Sequence, residues 1–466
     1  MKAAPPDGEP RKLAQAFHLG DLVPLSVSSV GPMFSVAATG GVMAAQAGWW
    51  TLPAIAVLAV PFIVSAFVFR LLNRHFPHSG ASYHWSARII GKGVSRYQAW
   101  ILILAYFLSI PPIAIPAGSY TLALIAPNYN APPVVQMAVT VFWVVFAAVP
   151  LLLGSRPTAR ITQAFFALEM VALASFGIIG LARLGKIGVP VHFGKPPIGG
   201  ILIVAVIAAT ILDGWEIDSY ASEESRKPKE WPGTSGIVGL LSVFAIYLVT
   251  MPLLVVETPL SALASSTDPL ATWMGGVMPQ AVWGIDLAVI ISTASSLWLT
   301  AFILSRAWYA MGRDGLLPKA FARVHARFRS PWVAIGVITV AEVAVQLSEL
   351  TSSSVFAFFS LVLTAAGIFL LAEFALDGVS ATVQFRGRHP GQGLEARGPH
   401  GHSIYRWLAP ITAGAMFTMI LLGFLTNATL LYVSVGLLVP AAYFVHRARR
   451  APGLGVPVEI EPAASS

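Results

Sequence analysis

Apolar stretches of about twenty residues, the length an α-helix needs to cross a bilayer, recur along nearly the whole of this 466-residue chain. No other feature constrains the fold as tightly. Backbone inside hydrocarbon has no water to bond, so each stretch must satisfy its own amides and carbonyls as a helix. Composition agrees, with 56% hydrophobic residues, 11% charged residues and a mean hydropathy of +0.73. That leaves too little polar material to surface soluble domains of this size. The chain reads as an all-α polytopic membrane protein. It has no cysteine, which excludes disulfides and thiolate-bound metal or haem.

Twelve spans fit the hydropathy pattern. They are 22–46, 50–73, 94–125, 132–153, 158–183, 197–222, 233–257, 279–311, 331–347, 352–382, 404–425 and 429–447. Several are long enough to require tilt or protrusion. The loops provide an independent check on the count. One side carries Lys2, Arg11 and Lys12, then Arg70 to Arg96, Arg156 and Arg160, Arg226 to Lys229, Arg306 to Arg329, Arg386 to Arg406 and Arg447 to Arg450. The other side carries only Arg183, Lys186 and Lys195 of the 29 Lys and Arg. By the positive-inside rule both termini face the cytoplasm of an inner cell membrane. The same asymmetry explains the net charge of +8 without a nucleic-acid partner. The segment MKAAPPDGEPRKLAQAFHLGD lacks the apolar core and cleavage site of a secretory signal, so the first span is expected to act as the insertion signal. The expected organisation is a cytoplasmic tail (1–21), a ten-helix core (22–382), a cytoplasmic loop (383–403), two further helices (404–447) and a second cytoplasmic tail (448–466).

Two spans carry a break. In SVSSVGPMFSVAATGG of the first span, Gly31-Pro32 falls mid-segment; proline removes a backbone donor and glycine weakens the helix. In ILDGWEIDSY of the sixth, Asp213-Gly214 follows about fifteen apolar residues, and Asp213, Glu216 and Asp218 fall within six positions. A single glycine or proline in a membrane helix is ordinarily a kink. Two breaks five spans apart predict a five-plus-five inverted repeat, with a site near mid-membrane where the breaks meet.

Three stretches carry a family likeness. FRLLNRHFPHSGASYHWSARIIGK, residues 69–92, matches an R-F-P-x-x-G-G/A-x-Y pattern through Arg74, Phe76, Pro77, Gly80 and Tyr83, with His75 as an extra residue. DGWEIDSYASEESRKPKEWPG, residues 213–233, supplies Glu223, Glu224 and Pro228 of an E-E-x-x-x-P pattern. SRAWYAMGRDGLLPKAFARVHARFRSPWVAI, residues 305–335, follows S-R-x-x-Y-A-M-x-R-D-G-x-L-P and then F-x-x-V-H-x-R-F-x-S/T-P. Together they resemble the amino acid permeases of the amino acid–polyamine–organocation (APC) superfamily. The resemblance implies a leucine-transporter-like fold with helices 1 and 6 broken. It also implies a secondary transporter that imports or exchanges amino acids or related amines. The chain departs from the family at the first break, often a G-x-G run, because Gly31 fills its first position and Met33 stands at the second. Substrate carboxylates usually dock on amides there; Pro32 has none to donate, and Met33 adds bulk.

A broken helix exposes amides at one half and carbonyls at the other, which attract anions and cations respectively. Ser29, Val30, Gly31, Pro32 and Met33, facing Asp213, Gly214 and Trp215, are therefore the candidate substrate contacts. Asp213 and Glu216, three apart, share a face if helical. Each either binds a substrate ammonium or carries a coupling proton, or both merely cap the broken half-helix. Trp215 is either an aromatic gate or packing. Tyr106 and Ser109 of the third span either line the cavity or pack. Asp218 reads as structural, since the resemblance places an Asp-Ser pair there. Glu169, mid-way along the fifth span, stands where some sodium-independent relatives place a lysine. It is a third proton-coupling candidate, with a hydrogen-bond partner expected in STASS, residues 292–296. Arg313 and Asp314 are expected to pair at a cytoplasmic gate.

The loop histidines of RHFPHSGASYHW suggest metal only weakly, and no metal or cofactor is expected beyond a proton gradient or counter-substrate. No H-E-x-x-H, G-x-S-x-G or P-loop pattern occurs, which argues against an enzyme. A sensor that binds but barely transports remains an alternative, as does a polyamine or cationic-amine transporter using Asp213 and Glu216. The expected partners are a small-molecule substrate and the lipid bilayer, and the protein is expected as a monomer or homodimer.

Overall fold

The computed structural model describes residues 12–127, 129–184, 193–266, 268–386 and 402–458. Lys2, Arg11, Lys186 and most of the 383–403 loop therefore lie outside the described residues, as does the end of the C-terminal tail. Among the described residues the regular elements are helices, apart from one isolated bridge between Phe17 and Ser225. In chain order they are α1 (Leu19–Val30), α2 (Pro32–Ala47), α3 (Thr51–His75), α4 (Ala81–Ile89), α5 (Lys92–Ile125), α6 (Pro133–Leu152), α7 (Ser155–Arg183), α8 (Ile198–Ile211) and α9 (Ile217–Tyr220). Then follow α10 (Trp231–Glu257), α11 (Leu260–Ser265), α12 (Pro269–Val277), α13 (Val282–Asp314), α14 (Trp332–Ser348), α15 (Val355–Arg386), α16 (His402–Thr426) and α17 (Ala428–Arg447).

Ten helical stretches among the described residues are long and apolar enough to cross a membrane. One, Leu19–His75, runs for 57 residues and contains both of the first two expected spans; Ile198–Ile211 is a shorter apolar helix. The sixth expected span is therefore not one helix through residue 222. It is α8, an irregular stretch, the single turn of α9 and a 3-10 turn at Ser222–Glu224. Asp213 and Glu216 both fall in the irregular stretch, so the helical face proposed for them does not exist. The stretch 258–278, which lies between two expected spans, holds α11 and α12. The latter starts where Asp268 accepts the Ala271 amide (2.9 Å) and Pro269 occupies the first turn, a position where a missing amide costs nothing.

Helices α5 and α13 form the centre. Their apolar windows are 83% and 78% buried, against 22% for α7 and 17% for α17. The outer helices instead expose Phe142, Val145, Val171, Ile178, Tyr432 and Val439, as surfaces facing lipid should. At 1.5 Å per residue the 34 residues of α5 extend about 50 Å, well beyond a hydrocarbon core of about 30 Å.

Both breaks rest on a glycine with positive φ. Gly31 (φ 60°) ends α1, its amide bonding to the Val27 carbonyl, and Pro32 opens α2. Gly214 (φ 109°) lies in the second break, where an added Cβ would come within 2.8 Å of Ser29 C and Val30 N. The second break thus packs backbone to backbone against the first.

Candidate functional site

Where the breaks meet, a narrow cavity opens between α1, α2, α5, α8, α13 and α15. Ser29 and Val30 line it from the first break, Asp213 from the second, Ser109 from α5, and Ser296 and Thr300 from α13. Asp213 is 8% exposed, and its Oδ1 has no hydrogen-bond partner in the protein. The Ser29 hydroxyl is also unpartnered. No lysine, arginine or histidine is among the residues lining this cavity. The Ser29 carbonyl accepts from Ser296 Oγ (2.7 Å), and the Val30 carbonyl from Ser35 Oγ (3.0 Å).

The start of α2 is occupied by the protein itself. The Met33 amide donates to Glu169 Oε1 (3.1 Å) and the Phe34 amide to Ser292 Oγ (3.0 Å). Ser292 Oγ in turn donates to Glu169 (2.5 Å), so the partner anticipated in STASS is Ser292. Pro32 has no amide, and the Ser35 amide is bonded to the Gly31 carbonyl. A buried carboxyl thus sits on the helix end that attracts anions. Gly31, Pro32 and Met33 are buried beside the cavity without lining it.

The other candidates sit behind the second break. Glu216 accepts the Gly214 amide on both oxygens (3.1 and 2.9 Å) and the Tyr106 hydroxyl (2.9 Å). Its carboxyl adjoins that of Asp213. Trp215 is buried, donates Nε1 to the Leu212 carbonyl (2.9 Å) and stacks on Phe374 (5.8 Å, 13°). Glu216, Gly214, Trp215 and Tyr106 are not among the residues lining the cavity. The second break therefore lines the cavity with Asp213 alone, while Glu216 is held by the Gly214 amide and the Tyr106 hydroxyl.

A family model described as amino acid permease matches residues 21–451. The chain belongs to the amino acid permease family. The permease is 26% identical over 339 residues to the methylthioribose transporter of Bacillus subtilis, covering 69% of this chain and 72% of that one. It is 27% identical over 315 residues to a branched-chain amino acid permease of Lactococcus lactis, covering 62% and 66%. It is 24% identical over 399 residues to a vacuolar cationic amino acid transporter of Arabidopsis thaliana, covering 79% and 65%. Against the last two the match spans less than two thirds of the relative's own length. The permease is thus an integral membrane transporter and not an enzyme.

One end of the permease carries a cluster of buried and half-buried ion pairs. Arg306 and Glu224, both fully buried, meet at 3.0 Å, and the guanidinium lies 3.6 Å above the Phe302 ring. Arg313 pairs chiefly with Glu223 (2.7 Å) and only loosely with its expected partner Asp314 (3.5 Å). Burial acts to raise the Glu223 carboxyl, but the Arg313 guanidinium outweighs it and brings Glu223 down to about 2. Residues near the N-terminus strap the same end, with the Ala16 and Phe17 amides bonded to the Glu224 carbonyl (2.8 and 3.0 Å). At the opposite end of α5, a wider vestibule is lined by Ser119, Tyr120, Tyr129 and Phe356.

His78, His84 and Asp314 lie close enough for a metal site, with ligand atoms within 4.8 Å of one another. The carboxylate absent from the histidine loop in sequence comes from α13, 230 residues on. Arg313 Nη2 stands 2.7 Å from His78 Nε2, so a guanidinium already supplies the positive charge. His84 is pushed well below the usual histidine range, chiefly by burial and further by the electrostatic influence of His78 and Arg313.

The sequence reading missed Ser296 and Thr300 as cavity hydroxyls, and it missed two buried acids of α15, Glu373 and Asp377. The acids had a signal, since both stand in an expected span, 352–382, that is otherwise uncharged.

Proposed function

We propose that the permease is a secondary active transporter moving amino acids or related amines across the cytoplasmic membrane by alternating access, coupled to protons or exchanging substrates. The observation that carries this reading is the contact of two helix breaks around a cavity lined by one carboxyl, Asp213, whose Oδ1 has no hydrogen-bond partner in the protein. A binding site at broken helices needs few charged side chains and can be uncovered from either face. The ion-paired end corresponds to the cytoplasmic side by its positive loops, and the vestibule to the outer side.

Counting Leu19–His75 as two spans hinged at Gly48, and α8–α9 as one broken span, gives twelve. Packing supports a five-plus-five repeat. A twofold exchanging the first five spans with the second five would turn the α1–α10 contact into α8–α3, and α7–α13 into α15–α5. It would map α5–α13, α3–α10 and α6–α14 onto themselves. All seven contacts are present.

Uptake into proteoliposomes under an imposed pH gradient tests the reading, with L-leucine, L-lysine and putrescine as probes. Absence of saturable flux for every amino acid and amine tried would overturn it. A narrower reading, a cationic amine without a carboxylate, is favoured by one observation: the α2 amides that would receive a substrate carboxylate already hold Glu169 and Ser292. One relative is named for methylthioribose, a molecule with no carboxylate. Putrescine competing with labelled substrate better than leucine would support the narrower reading.

A further inference from the structure

Behind the second break lies a buried polar network that the substrate cavity does not use. Ser82 of α4 stands at its centre. Its Oγ is 2.7 Å from Asp377 Oδ2, 3.0 Å from Glu373 Oε1 and 3.3 Å from the Tyr220 hydroxyl. Tyr220 also donates to Glu373 Oε1 (2.5 Å), and Gln98 Nε2 to Asp377 Oδ1 (2.8 Å). Glu373 and Asp377 are four apart on α15 and fully or almost fully buried, as are Ser82, Gln98 and Tyr220. Among the described residues no lysine, arginine or histidine is hydrogen-bonded or ion-paired to either acid.

Counting hydrogens gives this arrangement its meaning. A serine hydroxyl carries one proton and an ionised carboxylate carries none. Ser82 can serve only one of its two carboxyl neighbours, and the Tyr220 proton is already directed to Glu373. The second Ser82–carboxyl contact is a hydrogen bond only if a carboxyl supplies the proton. Two uncompensated carboxylates within reach of one hydroxyl, buried and without a cation, would also be costly.

We propose that Ser82, Glu373 and Asp377 form the coupling-proton site of the permease, holding one acid proton that moves as the transport cycle turns. The proposal rests on the transporter reading above and places the coupling proton on residues other than Glu169, Asp213 and Glu216. The transfer balances: Asp377 gives its O–H proton to Ser82 Oγ while Ser82 gives its own to Glu373, so the charge moves and the serine is restored. The groups facing the two acids are Ser82 from α4, Gln98 and Tyr106 from α5, Asp213 and Glu216 from the second break, and Tyr220 from α9. Tyr220 packs edge-on against Tyr106 (5.6 Å), whose hydroxyl holds Glu216 beside Asp213. The proton site and the cavity carboxyl thus sit on either side of one tyrosine pair, so the charge state of one bears on the other.

Infrared spectroscopy and transport test this together, on wild-type protein and on Glu373→Gln, Asp377→Asn and Ser82→Ala. At pH 7 the wild type should show a protonated-carboxyl C=O band that diminishes in the Asp377→Asn, Glu373→Gln double variant and persists, shifted, in Ser82→Ala. In proteoliposomes, exchange of leucine, lysine or putrescine at equal pH on both sides should persist in the variants. Accumulation driven by a pH gradient should fall at least about tenfold, the scale of a typical coupling free energy. An unchanged infrared band, or undiminished gradient-driven accumulation in both acid variants, overturns the proposal. If the wild type moves none of the probes, the transporter reading fails, and the infrared band alone decides whether the three residues share a proton.

Discussion

Asp213 and Glu169 are both carboxyls buried at the breaks, each with one oxygen unpartnered, but their surroundings differ. Glu169 is engaged by two donors, the Met33 amide and Ser292, so it serves the helix end. Asp213 lines the cavity, and its Oδ1 has no partner in the protein. Asp213→Asn should therefore abolish stabilisation by amines in a thermal-shift screen, a loss of at least about tenfold in affinity, since bonds to charged groups are worth about 1.5–3 kcal/mol. Glu216→Gln should weaken it less, because Glu216 is turned onto Gly214 and Tyr106; equal losses would contradict the assignment. The fully buried Arg306–Glu224 pair makes a stability prediction. Arg306→Ala leaves a carboxylate buried alone, which costs about 3–5 kcal/mol and should show as a large drop in the unfolding temperature. A combined Arg306→Met, Glu224→Gln change should recover much of it. Glu223 sets the acid limit at the same end. Its folded value near 2 lies below the unfolded glutamate value of about 4.3. Its contribution is therefore fully present above about pH 4.3 and is lost as pH falls toward 2. Glu223→Gln should flatten that acid limb of a melting curve and leave pH 6–8 unshaped.

The two breaks differ in what their glycines tolerate. At Gly214 a Cβ would press into the Ser29–Val30 backbone at 2.8 Å, at φ 109°, and backbone cannot rotate away. At Gly31 it would meet the Ser296 Cβ at 3.0 Å, at φ 60°, in the left-handed region that non-glycine residues reach at about 1–2 kcal/mol. Gly214→Ala should thus separate the breaks and abolish uptake, whereas Gly31→Ala should retain partial uptake with a modest fall in melting temperature. The reverse order would show that the breaks are not held together at Gly214. Both breaks were legible in sequence because proline and glycine act on their own backbone, within a turn. Helices α11 and α12 were not, because six and nine residues are too short for a periodic signal. The link between Ser82 and Asp377 joins residues 295 apart in sequence, and no local pattern announces such a pairing. Asp213 and Glu216 were legible as a pair of acids, but their division of labour depends on Gly214 turning its amide onto Glu216, which only the folded backbone decides.

For the molecule as a whole, charge asymmetry and gate geometry make one joint prediction about access. The chain has no cysteine, so single introduced cysteines report without background. Lys319 lies exposed on the positively charged side, and Ser119 lines the vestibule at the other end of α5. With the positive side inward, an impermeant maleimide should label Ser119→Cys in intact cells and Lys319→Cys only after permeabilisation. Labelling of Lys319→Cys in intact cells would invert the orientation. Between the two ends sits Ser29, on the cavity wall, and the Arg306–Glu224 and Arg313–Glu223 pairs lie at the positive side, where the proposed transport cycle would use them as a gate. Alternating access requires those pairs to part in the other state, because a site open to one face must close to it before opening to the other. Weakening one pair should shift the population toward the inward-open state in proportion to the free energy removed. In inverted vesicles, Ser29→Cys should therefore react faster when combined with Glu223→Gln than alone, and slower from the outer face of intact cells. Acceleration from both faces would indicate general loosening of the fold, and no change from either would show that the ion pairs hold the end together without gating it.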